Sequence, residues 1–210
     1  MVRRARHEMH LGDAKAGPPE ALDGGEAAAL VSGLRERDPE AIAQLFERYG
    51  SSVHRTLIRI IGSEDPESSD LLHDTFLRAV EHVRRLQNPL ALKGWLFGIA
   101  VFTAKEWLRT RKRMGYPQPP AAESDRAAVS ASPEAREAVR ALYQALDTFP
   151  EDERVVFVLR FVEKMEHAEL ADTLGISIST VRRRIKRAER RFRSALPAFP
   201  ALGERMKVPT

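Results

Sequence analysis

The sequence predicts an all-α chain of two small helical domains joined by a flexible linker, the second a helix-turn-helix domain. Three observations carry this. Apolar residues recur at helical spacing over residues 38–113 and again over 134–196, with no strand-like alternation. Between these blocks MGYPQPPAAESDRAAVSA, residues 114–131, has prolines and small residues but no apolar pattern. Near the C-terminal end HAELADTLG runs through a glycine into a second helix dense in cations, ISISTVRRRIKRAERRFR.

Composition narrows the function. The 210 residues contain no cysteine, which excludes disulfides, thiolate metal sites and Cys nucleophiles. No apolar run approaches the ~20 residues that span a bilayer, and the N-terminal MVRRARHEMHLGDAKAGPP lacks a signal-peptide core. A cytoplasmic protein without membrane insertion is the expectation. Charge is polarised twice. Residues 26–92 carry 8 basic and 11 acidic side chains, and 93–113 carry 6 and 1. Residues 134–175 carry 5 and 10, and 176–196 carry 8 and 1. Each half therefore ends in a cationic element suited to a polyanion, although Arg-rich helices are often merely solvated.

Residues 1–25 have no periodicity and are expected to be disordered. The first domain, 26–113, shows its first helix signal at Asp38-Pro39, an Asp cap with proline at the first helical position. Ile42, Leu45, Phe46, Tyr49, Val53, Leu57 and Ile61 follow at helical spacing to Gly62, with Gly50 as a candidate break. Ser68 or Ser69 caps the next helix, where Leu72, Phe76, Ala79, Val80 and Val83 form a buried stripe opposite Asp70, His73, Asp74 and Glu81. A third helix runs from about Lys93 to Arg113 with a stripe of Leu96, Ile99, Ala100, Thr103 and Trp107.

Residues 114–133 are read as the linker. The second domain, 134–196, restarts at Ser132-Pro133-Glu134 with the stripe Val139, Leu142, Ala145, Leu146 and Phe149, and Pro150-Glu151-Asp152 opens another helix. Residues 197–210 form a short tail.

On the last helix Val181, Ile185, Ala188 and Phe192 fall within about 40° of one line at about 100° per residue. Arg183, Lys186, Arg187 and Arg190 fall on the opposite side. Ser177 is a good cap, and Gly175 closes the helix before it. A disordered basic tail needs no such stripe. The arrangement suits a helix whose first residues face bases and whose remaining cations face phosphates in the major groove. On the third helix of the first domain Trp95, Phe102, Arg109 and Arg113 run along one flank at intervals of seven, seven and four. Rings beside arginines suit single-stranded nucleic acid. The rings equally well widen the core, and the sequence leaves both readings open.

Catalysis has little support. His54, His73, His82 and His167 lack metal-ligand spacing, and no phosphate loop or nucleophile motif is present. No catalytic residue, metal or cofactor is expected.

RDPEAIAQLFERYG, DLLHDTFLRAV and WLFGIAVFTAKEWL in the first half, and LDTFPEDERVVFVLRFVEKMEHAELADTLGISISTVRRRIKRAERR in the second, together resemble a known family. It is the extracytoplasmic-function type of bacterial RNA polymerase sigma factor, within the sigma-70 family. The resemblance covers about residues 34–113 and 134–196, in order. It implies a protein that binds core RNA polymerase and directs promoter recognition and transcription initiation, the first domain opening the −10 element and the second reading the −35 element. The positions matching the family's polymerase-docking face are Asp70, His73 and Asp74. Those matching its −35 readers are Arg182, Arg183, Lys186 and Arg187, with Arg182 at the margin of the outward face; Arg190 continues that face. Trp95, Phe102, Arg109 and Arg113 become −10 candidates.

Three positions depart from the family's pattern. Phe102 stands where Asn is frequent, which removes an amide that could bond a base edge. Lys164 stands where Gly is common, and His73 where Gln is. The partners implied are core polymerase and promoter DNA, with a separate anti-sigma factor as a further candidate. The alternatives are an ordinary helix-turn-helix regulator, with residues 34–113 as sensor or dimerisation domain, and a helical protein-interaction module.

Overall fold

The computed structural model describes Pro19 and residues 22–62, 67–115 and 133–199, and among these every regular element is helical. Residues before Leu22 save Pro19, residues 63–66, the tail from 200, and residues 116–132 of the linker expected over 114–133 lie outside the described residues; Pro133, placed in that linker by the sequence, is the first residue of a helix.

Helix α1 spans Gly24–Glu36, outside the helices read from the sequence, although its buried Ala27, Leu30, Val31 and Leu34 recur at i, i+3, i+4 and i+7. Its start is written in a capping box: Asp23 accepts from the Glu26 amide at 2.8 Å, and Glu26 reaches back to the Asp23 amide. Two glycines at the first turn obscure that signal in the sequence. Helix α2, Pro39–Ile61, is capped by Asp38 and runs unbroken through Gly50. Leu45, Val53, Leu57 and Ile61 along it are fully buried. Helix α3, Ser68–His82, begins without a side-chain cap; Ser68 is its buried first residue. Helix α4, Leu92–Arg113, closes the first half.

The expected α4 stripe is partly corrected. Leu96, Ala100 and Thr103 are buried as read, but Ile99 and Trp107 are half-exposed, while Phe97, Val101 and Ala104 are buried. Helix α4 packs on α2 and α3 and also on the helix His167–Leu174 of the second half, so two of its sides lose water.

The second half comprises α5, Pro133–Asp147; α6, Glu151–Phe157, which continues into a wider turn over Val158–Val162; α7, His167–Leu174; and α8, Ile178–Ala195. Lys164, in the turn before α7, holds a left-handed φ of 61°, the conformation that makes Gly common there. Gly175 takes φ 62° as the α7 cap, and the Ser177 hydroxyl accepts from the Thr180 amide at 3.2 Å. Val181, Ile185, Ala188 and Phe192 are all buried, the last against the Phe157 ring at 4.9 Å.

The two halves share one contiguous hydrophobic core. Across it, buried Arg154 donates to the Ile60 carbonyl at 3.1 Å and Thr56 donates to Glu163 at 2.9 Å. Lys93 reaches the Glu163 carbonyl at 2.9 Å. Tyr143 is buried because it meets Ile58 and lies under the Arg59 guanidinium.

Candidate nucleic-acid and docking interfaces

On α8 the buried stripe aims the opposite face at solvent. Arg182, Arg183, Lys186, Arg187 and Arg190 are all exposed, and none forms an ion pair with a described residue. Two other arginines of the helix do. Arg184 pairs with Asp152 at 2.6 Å and Arg191 with Glu153 at 2.9 Å. The cations of α8 thus divide into two that fasten it to α6 and a set left outward. The Ser177 cap orients the N-terminal turn among these free cations, where a polyanion also meets unsatisfied amides.

Asp152 holds a second cation, Lys105 of α4, at 2.6 Å. Burial alone would push this carboxyl up, but the Lys105 hydrogen bond and charge, with Arg184, hold it below the usual carboxylate range.

On α4 the structure separates residues that the sequence placed on one line. Trp95 is half-buried and packs against the core, whereas Phe102 is 52% exposed and Arg109 and Arg113 are exposed without ion pairs to described residues. Trp95 packs one side against the core and lines a cavity with the other, beside Phe102, whose ring lies outside the core. Arg78 of α3, which the sequence did not single out, stands over the Phe102 ring with its guanidinium carbon 5.5 Å from the centroid. It also pairs with Asp74 at 3.0 Å and Glu106 at 2.8 Å. Contact across two helices leaves no trace in the spacing of either.

On α3 Asp70 and His73 are exposed and Asp74 is half-exposed beside Arg78. Leu77, 50% exposed, continues the same face at i, i+3, i+4 and i+7 from Asp70. An apolar side chain centred among polar ones is a feature of protein-binding patches. The signal was in the sequence: Leu77 sits off the apolar stripe. Among the described residues no three His, Asp or Glu side chains gather as a metal site.

Comparison with known proteins decides the family. Sigma-70 region 2 matches residues 45–114 and Sigma-70 region 4 matches residues 139–192, together more than half of the chain. The chain belongs to the sigma-70 family. The ECF RNA polymerase sigma-E factor of Haemophilus influenzae is 27% identical over 175 residues, covering 76% of this chain and 89% of that protein. RNA polymerase sigma factor SigV of Bacillus subtilis is 27% identical over 143 residues, covering 68% and 83%. Two solved structures share the fold. CnrH in complex with the cytosolic domain of CnrY aligns with TM-score 0.62 at 22% identity over 81% of this chain and 96% of that one. RpoE in complex with the anti-sigma factor NepR, from Bartonella quintana, aligns with TM-score 0.63 at 21% identity over 74% and 96%.

As a sigma factor the chain binds core RNA polymerase and directs the initiation of DNA-templated transcription. The region 2 match occupies the half that a regulator would use for sensing or dimerisation, so the regulator alternative is not favoured. No described helix is long and apolar enough to cross a membrane.

Proposed function

We propose that this sigma factor is of the extracytoplasmic-function type and divides promoter recognition between its two basic helices. Arg182, Arg183, Lys186, Arg187 and Arg190 of α8 read the −35 duplex. Trp95, Phe102, Arg109 and Arg113 of α4 line the path of the opened −10 strand, and Asp70, His73 and Asp74 of α3 dock on core polymerase. The observation that carries this reading is the set of exposed, unpaired cations on α8 above a fully buried apolar stripe. Bidentate guanidinium contacts to guanine supply base choice, and phosphate contacts supply affinity. Bond-making chemistry belongs to the polymerase, and the work is done in the cytoplasm, where the polymerase is. Two relatives of the same fold were solved bound to a cytosolic CnrY domain and to the anti-sigma factor NepR, which supports an anti-sigma partner here too.

The test is co-purification with core polymerase followed by run-off transcription. Because Asp70 and His73 are exposed and Asp74 is paired only at the surface, replacing all three with alanine should shift stability by about 1 kcal/mol or less. Polymerase binding should fall. Full affinity in the triple variant would reject the docking face, and a wild-type chain unable to direct run-off transcription would reject the reading as a whole.

A further inference from the structure

The first turn of α8 carries an apolar side chain that the fold does not use. Ile178 is the first helical residue after the Ser177 cap, and it is 42% exposed. The hydrophobic core takes in Leu174, Ile176 and Val181 on either side of it, but not Ile178. Its surroundings are polar. Ser177 and Ser179 are exposed and share a hydrogen bond of 2.9 Å, and the first turn holds no acid. One turn further on, at i+4, stands Arg182, the first of the outward cations. A β-branched residue at this position adds nothing to helix propensity either. Ile178 is an apolar spot at the leading edge of a cationic face, and its burial gains nothing until a partner covers it.

We infer that Ile178 is a specificity-determining residue of the −35 reader: it packs on the methyl group of a thymine in the major groove and selects that base at a pair the cations of α8 do not choose. This rests on the assignment of α8 to the −35 duplex. Three points support it. A recognition helix reaches base edges with its N-terminal residues, which is where Ile178 lies. Thymine alone among the bases presents a methyl group in the major groove, and the neighbouring guanidinium groups cannot read it, because they bond guanine or phosphate. Any other base there would set polar atoms against an aliphatic chain that can bond none of them. The spacing also separates the two kinds of contact. Four residues between Ile178 and Arg182 are about 6 Å along the helix axis, or about two base pairs of duplex.

The test uses the holoenzyme formed with core polymerase. Duplexes are selected from a pool randomised over the −35 element, and each thymine of the selected site is then replaced in turn by deoxyuridine. That replacement removes the methyl group and leaves every hydrogen-bonding atom in place. At one position it should weaken wild-type binding about three- to fivefold, the loss of one buried methyl. Ile178→Ala should bind the thymine and deoxyuridine duplexes alike, and selection with it should no longer return thymine at that pair. Because Ile178 is exposed and alanine is the better helix former, this variant should melt no lower than wild type. Arg190→Ala should weaken both duplexes alike and leave their ratio unchanged.

Deoxyuridine that binds as well as thymine at every position, or an Ile178→Ala variant that keeps the deoxyuridine effect, would overturn the methyl contact. Reduced transcription by Ile178→Ala with unaltered duplex affinity would overturn it too, and would place Ile178 against polymerase. If Arg183→Ala or Arg187→Ala still relaxed discrimination at a guanine in those cases, the assignment of α8 would survive alone. If removing Arg182, Arg183, Lys186 and Arg187 together left −35 selection unchanged, the assignment of α8 would fall and the methyl contact with it.

Discussion

Phe102 shows how a single exposure value chooses between two roles. A ring in the core would be expensive to truncate, but this one is 52% exposed and carries a guanidinium over its face. Phe102→Ala should therefore shift stability by no more than about 0.5 kcal/mol while weakening single-strand binding by about 1–3 kcal/mol, the worth of one stacked base. Phe102→Asn should narrow −10 base preference, because an amide bonds a base edge and a ring accepts any π-face. Permanganate footprints beside thermal melts check both, and a large drop in melting temperature with unaltered base preference would count against stacking. Glu163 offers a pH-dependent counterpart. Burial pushes its carboxyl up from the ordinary 4.5, partly opposed by the Thr56 hydrogen bond and by Arg59, Lys93 and Arg55, and Oε2 has no hydrogen-bond partner. A folded pKa above the unfolded one gives a contribution that is full below the unfolded value and is lost as pH rises through the folded one. Glu163→Gln keeps an acceptor for Thr56 without the charge, so its melting temperature should gain on wild type as the pH rises above about 4.5 through the raised folded value. A constant difference across that range would show that the carboxyl does not titrate there. Lys164 was legible in the sequence as a residue standing at a glycine position, and its φ of 61° bears this out. Arg78 was not legible, because its partners Phe102 and Glu106 belong to another helix.

Among the elements, α8 was read almost completely from its sequence and α4 only in part, and the difference is one of neighbours. Helix α8 buries a single stripe, so a 3.6-residue period finds Val181, Ile185, Ala188 and Phe192 and leaves the rest outward. Helix α4 is enclosed by α2, α3 and α7, so it buries a second line, Phe97, Val101 and Ala104 at i, i+4 and i+7, beside the line of Leu96, Ala100 and Thr103. Helix α1 was missed for a third reason: Gly24 and Gly25 weaken propensity where the Asp23–Glu26 capping box restores it. The division of cations on α8 has a measurable consequence. If Arg183 or Arg187 meets guanine, its loss should cost about 1–3 kcal/mol and relax discrimination at that base. Loss of Arg190 should weaken all sequences alike and lower the salt slope by about one unit. Arg184 and Arg191 are held by Asp152 and Glu153, so their removal should act on the α6–α8 contact before it acts on DNA. Equal losses on specific and random DNA for Arg183, Arg187 and Arg190 would reduce α8 to an electrostatic clamp.

At the scale of the molecule, the linker composition and the contact between the halves make opposite demands. The stretch 114–131, with prolines and small residues, reads from its sequence as a tether, and about 18 residues of coil reach ~20–25 Å. A tether of that reach permits separation without requiring it. The contact itself is built around buried polar groups that are costly to unpair. Arg154, 3% exposed, donates to the Ile60 carbonyl of α2 and to the Asp147 carbonyl at 3.1 Å each, so separating the halves removes an acceptor from a buried guanidinium. Thr56 and Glu163 lose each other in the same event, and the shared apolar core is opened to water. Opposing this are the release of conformational entropy and the hydration of Lys93, Lys105 and Asp152, polar groups that water accepts readily. The balance predicts halves that stay together without a covalent connection. Limited proteolysis should cut first within 116–132, and the two fragments should co-elute on size exclusion at low salt. Raising the salt should weaken the association only modestly, because screening reaches the Lys105–Asp152 pair but not the buried Arg154 and Thr56 contacts. Fragments that separate at once on cleavage would show that the tether, and not the buried polar contact, sets how the two DNA-facing halves stand to each other.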